Sequence, residues 1–251
     1  VLMDYGKILS KRVQELKPSG IRKFFDIAAN MENVISLSIG EPDFKTPWAV
    51  RAAAIETLEK GRTTYTANSG LANLRLEITR YMARKFGLSY HPEDETLVTV
   101  GGSEAIDLCI RAMIEPGDEV LVVEPCFVAY APIIEMMHGI PVSVETVAEE
   151  GFRLTAARLR AKLTPKTKLL VLPYPNNPTG AIMRREHLEE IAEVLRSTNI
   201  MVLSDEIFQS FFYDWVASWV CMRASPCYEA NDQNSPICHY VRTDNQPICR
   251  D

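Results

Sequence analysis

Between about Leu37 and Phe208 the chain alternates between two hydrophobic rhythms. Short apolar runs occur at Leu97–Val100, Val120–Val123, Val142–Val144, Leu169–Leu172 and Ile200–Leu203. Each is too short for a helix and suits a strand buried on both faces. Between the runs the apolar residues are spaced helically. After Thr46 and Pro47, an expected N-cap and first-turn proline, come Val50, Ala54 and Leu58 on one face. A second helix is predicted from Leu71 through Leu74, Ile78 and Met82 to Phe86, and a third carries Leu188, Ile191, Ala192 and Leu195. Strands and helices in this order predict βαβ units and a mostly parallel α/β sheet.

After Phe208 the pattern stops, and no further strand–helix alternation is predicted. Residues 209–251 contain no lysine and hold two of the three tryptophans and the polar run Asn231-Asp232-Gln233-Asn234-Ser235. Phe212, Trp215, Val216 and Trp219 share a helical spacing, yet the stretch reads as foreign to the domain before it. Four of the six cysteines, Cys221, Cys227, Cys238 and Cys249, crowd into this tail, separated by five, ten and ten residues. With His239 nearby they form no C-x-x-C pair, and their spacing is unlike that of known zinc modules. Cys109 and Cys126 fall in core-patterned segments, where a thiol behaves as a small hydrophobe.

Composition adds exclusions. The 251 residues are 47% hydrophobic and 24% charged, enough to bury a sizeable core. A formal net charge of −6 argues against nucleic acid or an anionic membrane as the main partner. No apolar run approaches a membrane span. The stretch from Val1 to Arg12 shows no secretion-signal pattern, so a cytoplasmic protein is expected, in which a disulfide framework would fit poorly.

The chemistry concentrates at three strand ends. Val100-Gly101-Gly102-Ser103-Glu104-Ala105 follows an apolar run and opens a helix. Backbone N–H groups and a positive helix end there suit a phosphate, with the glycines permitting close approach and Ser103 adding a hydroxyl. A tight strand–helix turn is the plainer reading of such a segment taken alone. Pro175-Asn176-Asn177-Pro178-Thr179-Gly180 is an Asn-Pro turn at the end of another strand. Ser204-Asp205-Glu206 ends the next. A lone acid there is more often a cap, but functional sites of open α/β sheets gather at this edge.

These motifs, in this order and spacing over residues 10–208, resemble the class I/II aminotransferases. Within them the chain looks like the bacterial branch handling aspartate, aromatic or diaminopimelate-type amino acids. The resemblance implies fold type I: a three-layer αβα large domain, here without the C-terminal small domain. It implies pyridoxal 5′-phosphate as cofactor, with amino acid and 2-oxo acid substrates, and a homodimer. Residues 1–36 would be an N-terminal arm and small-domain segment, 37–208 the partial cofactor-binding domain and 209–251 an atypical tail.

Roles follow one residue at a time. Gly40, in Ser38-Ile39-Gly40-Glu41-Pro42-Asp43, matches a loop at the substrate carboxylate. Tyr65 matches a tyrosine that reaches the neighbouring subunit's cofactor phosphate. Gly101, Gly102 and Ser103 match the phosphate cup, and Phe127 an aromatic stacked on the pyridine ring. Asn177 matches the partner of the cofactor's phenolic oxygen, and Asp205 the carboxylate that keeps the ring nitrogen protonated.

Two departures stand out. Phe208 occupies a position where the family usually has a tyrosine, losing one hydrogen bond worth about 1 kcal/mol. The family's Schiff-base lysine is expected roughly thirty residues past the aspartate, but the last lysine here is Lys168. The phosphate-clamping arginine and the small domain's carboxylate-binding arginine have no match either. Arg223, Arg242 and Arg250 lie in no such context. A chain truncated or frameshifted after about residue 208, and inactive as written, is therefore expected. Two alternatives remain at this level: a fold-type-I β-lyase acting on cysteine-like substrates, and a non-catalytic interaction protein with a metal-binding tail.

Overall fold

The computed structural model describes residues 5–16, 31, 44–208 and the backbone of 237–241. These fall into two compact units. The first contains residues 5–16, 31 and 44–64. Its helices are α1 (Lys11–Glu15), where Ser10 caps by accepting from the Val13 N–H, and α2 (Trp48–Glu59). Pro47, not Thr46, is the N-cap of α2. No residue of α2 is buried, and Val50 and Leu58 on the expected apolar face are exposed.

The second unit, residues 65–208 with 237–241, holds the sheet. It begins with α3 (Ala72–Phe86), which ends at Gly87 in the left-handed conformation. There the Gly87 and Leu88 N–H groups donate back to Ala83 and Met82 carbonyls, closing the helix end. Its buried face is Arg75, Thr79, Met82 and Phe86. Only Met82 and Phe86 come from the predicted stripe, because Leu74 faces out and the Arg75 guanidinium turns in to bond the Pro92 and Glu93 carbonyls.

Then follow α4 (Gly102–Met113), β1 (Glu119–Glu124), α5 (Tyr130–Met136), β2 (Ile140–Glu145), α6 (Ala156–Lys162), β3 (Thr167–Leu172), α7 (Arg185–Leu195), β4 (Met201–Asp205) and β5 (Ile237–Val241). The sheet is wholly parallel, in the order β2-β1-β3-β4-β5. Its central strands are buried on both faces, with successive side chains entering opposite layers, as in a doubly covered sheet. Val120, Val122, Leu169, Val171 and Leu203 pack with Ile106, Ile110 and Ile114 of α4 and Tyr130 and Ile134 of α5. Leu121, Val123, Leu170, Leu172 and Val202 pack on the opposite face with Leu159 of α6 and Leu188, Ile191, Val194 and Leu195 of α7. Helix, sheet and helix form the expected three layers. Each fully buried aliphatic side chain contributes about 1.5–3 kcal/mol of burial free energy.

Two expectations are corrected. Leu97–Val100 is not a strand: Leu97 and Val100 are exposed, and the segment's link is a Val98 N–H bond to the Ser69 carbonyl. Apolarity alone cannot make a strand where no ladder forms. Conversely, the alternation does not end at Phe208, since Ile237–Val241 adds a fifth strand beside β4. Cys238 and His239 lie in this strand, while the Trp215–Trp219 spacing and Cys221, Cys227 and Cys249 lie outside the described residues. Among the described residues no helix is long and apolar enough to cross a membrane, and no cluster of metal-ligating side chains occurs.

Candidate active site

Topology decides where the chemistry gathers. From β1 the chain moves to β2 on one side and then crosses back to β3 on the other, so the direction reverses between β1 and β3. Ligands of open parallel sheets bind beyond the strand C-termini at such a reversal. Three segments leave the sheet at this edge: 125–129 after β1, 173–184 after β3, and 206–208 after β4. A fourth segment arrives there. Helix α4 ends at Met113, just before β1 begins, and packs along the strands, so it runs antiparallel to them. Its first turn, Gly101-Gly102-Ser103, therefore lies at the same edge as Asp205.

The loops after β1 and β3 are tied to each other. The buried Asn176 amide donates to the Pro125 carbonyl at 3.1 Å. Its side-chain oxygen accepts from the Thr179 N–H at 3.1 Å and hydroxyl at 2.8 Å, which closes the 176–180 turn. Of the two asparagines, Asn176 is thus the structural brace, and Asn177 stands exposed on the turn, free to meet a ligand. The peptide bonds before Pro125, Pro175 and Pro178 are cis.

Asp205 ends β4 and is buried. Its Oδ2 accepts from the Tyr130 hydroxyl at 2.6 Å and its Oδ1 from the Ile207 N–H at 3.2 Å. Burial pushes its carboxyl above the ordinary range, and the Tyr130 and Ile207 donors oppose that rise. No ion pair among the described residues involves Asp205. A buried carboxylate with two neutral donors and unused lone pairs suits a protonated ring nitrogen, which brings both a donor and the missing positive charge.

Phe127 is half-buried, with its ring edge-on to Tyr130 at 5.8 Å and 85°. At the phosphate end, Gly101 has φ +91°, a conformation that favours glycine, and Gly102 is buried. The helix has no side-chain N-cap, and Ser103 is exposed. Glu104 turns back to accept from the Val100 N–H, and the Thr99 hydroxyl donates to the Gly101 carbonyl at 2.9 Å. An uncapped helix start beside a glycine corner fits an anion. Phe208 is half-buried just past β4, and Tyr65 is fully exposed. Gly40 lies outside the described residues.

Sequence patterning missed Tyr130, which is 1% exposed and reaches Asp205 from 75 positions earlier. Its place close to Phe127, where the loop that leaves β1 ends, was the only signal in the sequence. Lys168 is excluded from the site. It opens β3 at the opposite edge and pairs with Asp118 at 3.0 Å, and the strand's length separates it from the Asp205 edge by roughly 15 Å.

Residues 32–240 match the family model described as Aminotransferase class I and II. The chain belongs to this family. Its members depend on pyridoxal phosphate. Among curated relatives it is 54% identical over 206 residues to the protein of Bacillus subtilis named "Putative aminotransferase YugH", covering 82% of this chain and 53% of the relative. It is 40% identical over 211 residues to aromatic-amino-acid aminotransferase 2 of Thermococcus litoralis, covering 84% and 54%. The crystal structure of aspartate aminotransferase from Thermus thermophilus with maleate superposes with a TM-score of 0.82 at 38% identity, covering 88% of this chain and 58% of that one. The chain thus spans about half the length of the relatives it matches.

Proposed function

We propose that these residues form the cofactor-binding part of an aminotransferase that moves an amino group from an amino acid to a 2-oxo acid. Asp205 carries the reading: a buried carboxylate, held by Tyr130 and Ile207, on the sheet edge where the 101–103 turn lies. In this reading Asp205 keeps a proton on the ring nitrogen, Phe127 covers one ring face, and Asn177 donates to the phenolic oxygen. The helix start at Gly101, Gly102 and Ser103 takes the phosphate. Bound pyridoxal phosphate supplies an electron sink for negative charge at the substrate α-carbon. Phe208 cannot donate a hydrogen bond, which detunes such a site by about 1 kcal/mol. Gly40 would approach the substrate carboxylate.

The exposure of Tyr65 fits a homodimer in which its hydroxyl serves the neighbouring subunit's phosphate. The relatives named for aspartate and aromatic substrates support a donor of that range, used in amino acid biosynthesis. All are named as aminotransferases, which favours amino transfer over the β-lyase alternative. We assign 37–208 as the cofactor domain, 1–36 as an arm and small-domain segment, and 209–251 as atypical apart from the strand at Ile237–Val241. A cytoplasmic fragment with neither nucleic-acid nor membrane partners completes the reading.

The test uses pyridoxamine 5′-phosphate, which needs no lysine for attachment. Equilibrium dialysis should show one saturable site per chain, competed by inorganic phosphate. Ser103→Asp should weaken it at least tenfold without loss of fold, since a negative charge at a helix start favours the helix but repels phosphate. Absence of binding, or equal binding by the variant, would count against the site. The 251-residue chain should transfer no amino group from aspartate to 2-oxoglutarate, because no lysine follows Lys168 to shuttle the proton from the segment past Asp205.

A further inference from the structure

Tyr130 has three properties that mere core packing does not require together. It opens α5 at the edge where β1 and β3 diverge, it is 1% exposed, and its hydroxyl spends its proton on Asp205 Oδ2 at 2.6 Å. Its ring also meets the edge of Phe127. One residue therefore touches both the carboxylate and the aromatic that the proposed function places around a pyridine ring. We infer that Tyr130 is a positioning residue that keeps Asp205 ionised and aimed at the cofactor's ring nitrogen while fixing the tilt of Phe127.

A carboxylate taken out of water keeps its charge only if donors replace the lost solvent. Here there are two, the Ile207 N–H from Asp205's own segment and the Tyr130 hydroxyl from α5. The hydroxyl is the shorter and, being a side chain, the one that a substitution can remove. It is also a dependable donor. Burial, and then the Asp205 charge, push its pKa far above the ordinary phenol range, so it does not ionise. The other titratable group acting on Tyr130 is Cys126, whose thiol burial pushes up to about 12 and keeps neutral. Glu206, adjacent in sequence, accepts from the Ser204 hydroxyl. With Oδ2 and Oδ1 each holding one donor, each oxygen retains a lone pair, and the carboxylate plane is fixed before any ligand arrives.

This inference rests on the proposed function for its ligand but not for its coupling, so the two can fail separately. In the ligand-free chain, carbon-13 labelling of aspartate carboxyls gives the Asp205 titration, identified by its loss in Asp205→Asn. Tyr130→Phe should raise that titration by about one pH unit, since the charged form loses a donor. Site-specific 3-fluorotyrosine at position 130, a more acidic donor, should lower it and keeps the test alive if the phenylalanine variant unfolds. An Asp205 titration unmoved by either change overturns the inference. With pyridoxamine 5′-phosphate, Tyr130→Phe should weaken binding about tenfold in the natural background and hardly at all in Asp205→Asn. Equal weakening in both backgrounds would make Tyr130 a packing residue and overturn its positioning role. A shifted titration in a chain that binds no pyridoxamine 5′-phosphate would support the Tyr130–Asp205 coupling and sink the cofactor reading instead.

Discussion

The two ends of the candidate site are built differently. At the proposed ring-nitrogen end, Asp205, Tyr130 and Asn176 are buried, and their hydrogen bonds are satisfied by neighbouring strands and loops of the same unit. At the proposed phosphate end, Ser103 is exposed and Val100 stands 92% exposed beside the glycine turn. The difference teaches which part of the site the chain completes by itself. The nitrogen end is preorganised by core packing. The proposed phosphate end presents the backbone donors of an exposed, uncapped helix start.

The largest effect that would sharpen this contrast is Tyr130→Ala. It empties a fully buried aromatic site and removes one of the two donors to the Asp205 carboxylate, and should cost about 3–5 kcal/mol in urea unfolding. A cost below about 1 kcal/mol would show that the nitrogen end is not packed as described. Next comes Gly70→Ala, which probes a tight place in the loop before α3. Gly70 has φ +92°, and an added Cβ would lie 2.6 Å from Val98 Cβ. Strain and overlap should cost about 1–3 kcal/mol. A neutral result would mean the 65–70 loop is not held against Val98.

The Asp205 charge gives a smaller, pH-dependent effect. Its folded pKa lies above the unfolded value, so the folded ligand-free chain binds the proton more tightly. The contribution of Asp205 to stability should therefore be fully present below the ordinary aspartate range and be lost as pH rises through the raised folded pKa. Asp205→Asn should flatten that part of the profile, whereas stability rising with pH in the natural chain, and not in the variant, would reverse the sign. The smallest effect is Tyr65→Ala, expected within about 0.5 kcal/mol for the isolated chain because the ring touches nothing it would have to give up. A loss above 1 kcal/mol would place that ring in packing and weaken its assignment to a neighbour.

Four strands and the αβα class were legible from the sequence because strands buried on both faces write themselves as apolar runs, as Leu169–Leu172 does. Leu97–Val100 carried the same signal without the ladder, since apolarity records a wish for burial and not a partner. Ile237–Val241 was missed for the opposite reason. Its Cys-His-Tyr center, set in polar surroundings, does not read as a buried strand. In the proposed site, Asp205, Asn177 and the 101–103 turn stood out as candidates because each follows an apolar run at a turn. Tyr130 was not, since its partner is 75 residues away and only the crossover at β1/β3 brings the two together. Asn176 was seen as half of a motif, but its role as the tie to Pro125 needed the fold.

The central claim is that Asp205 faces a protonated pyridine nitrogen. Nitrogen-15 NMR of ring-labelled pyridoxamine 5′-phosphate bound to the chain reads that proton directly. The natural chain should hold the ring nitrogen protonated well above the pH at which free pyridoxamine 5′-phosphate loses its ring proton, and Asp205→Asn should abolish that protection. A bound ring nitrogen that titrates as it does in water, or one unchanged by the substitution, would contradict the account.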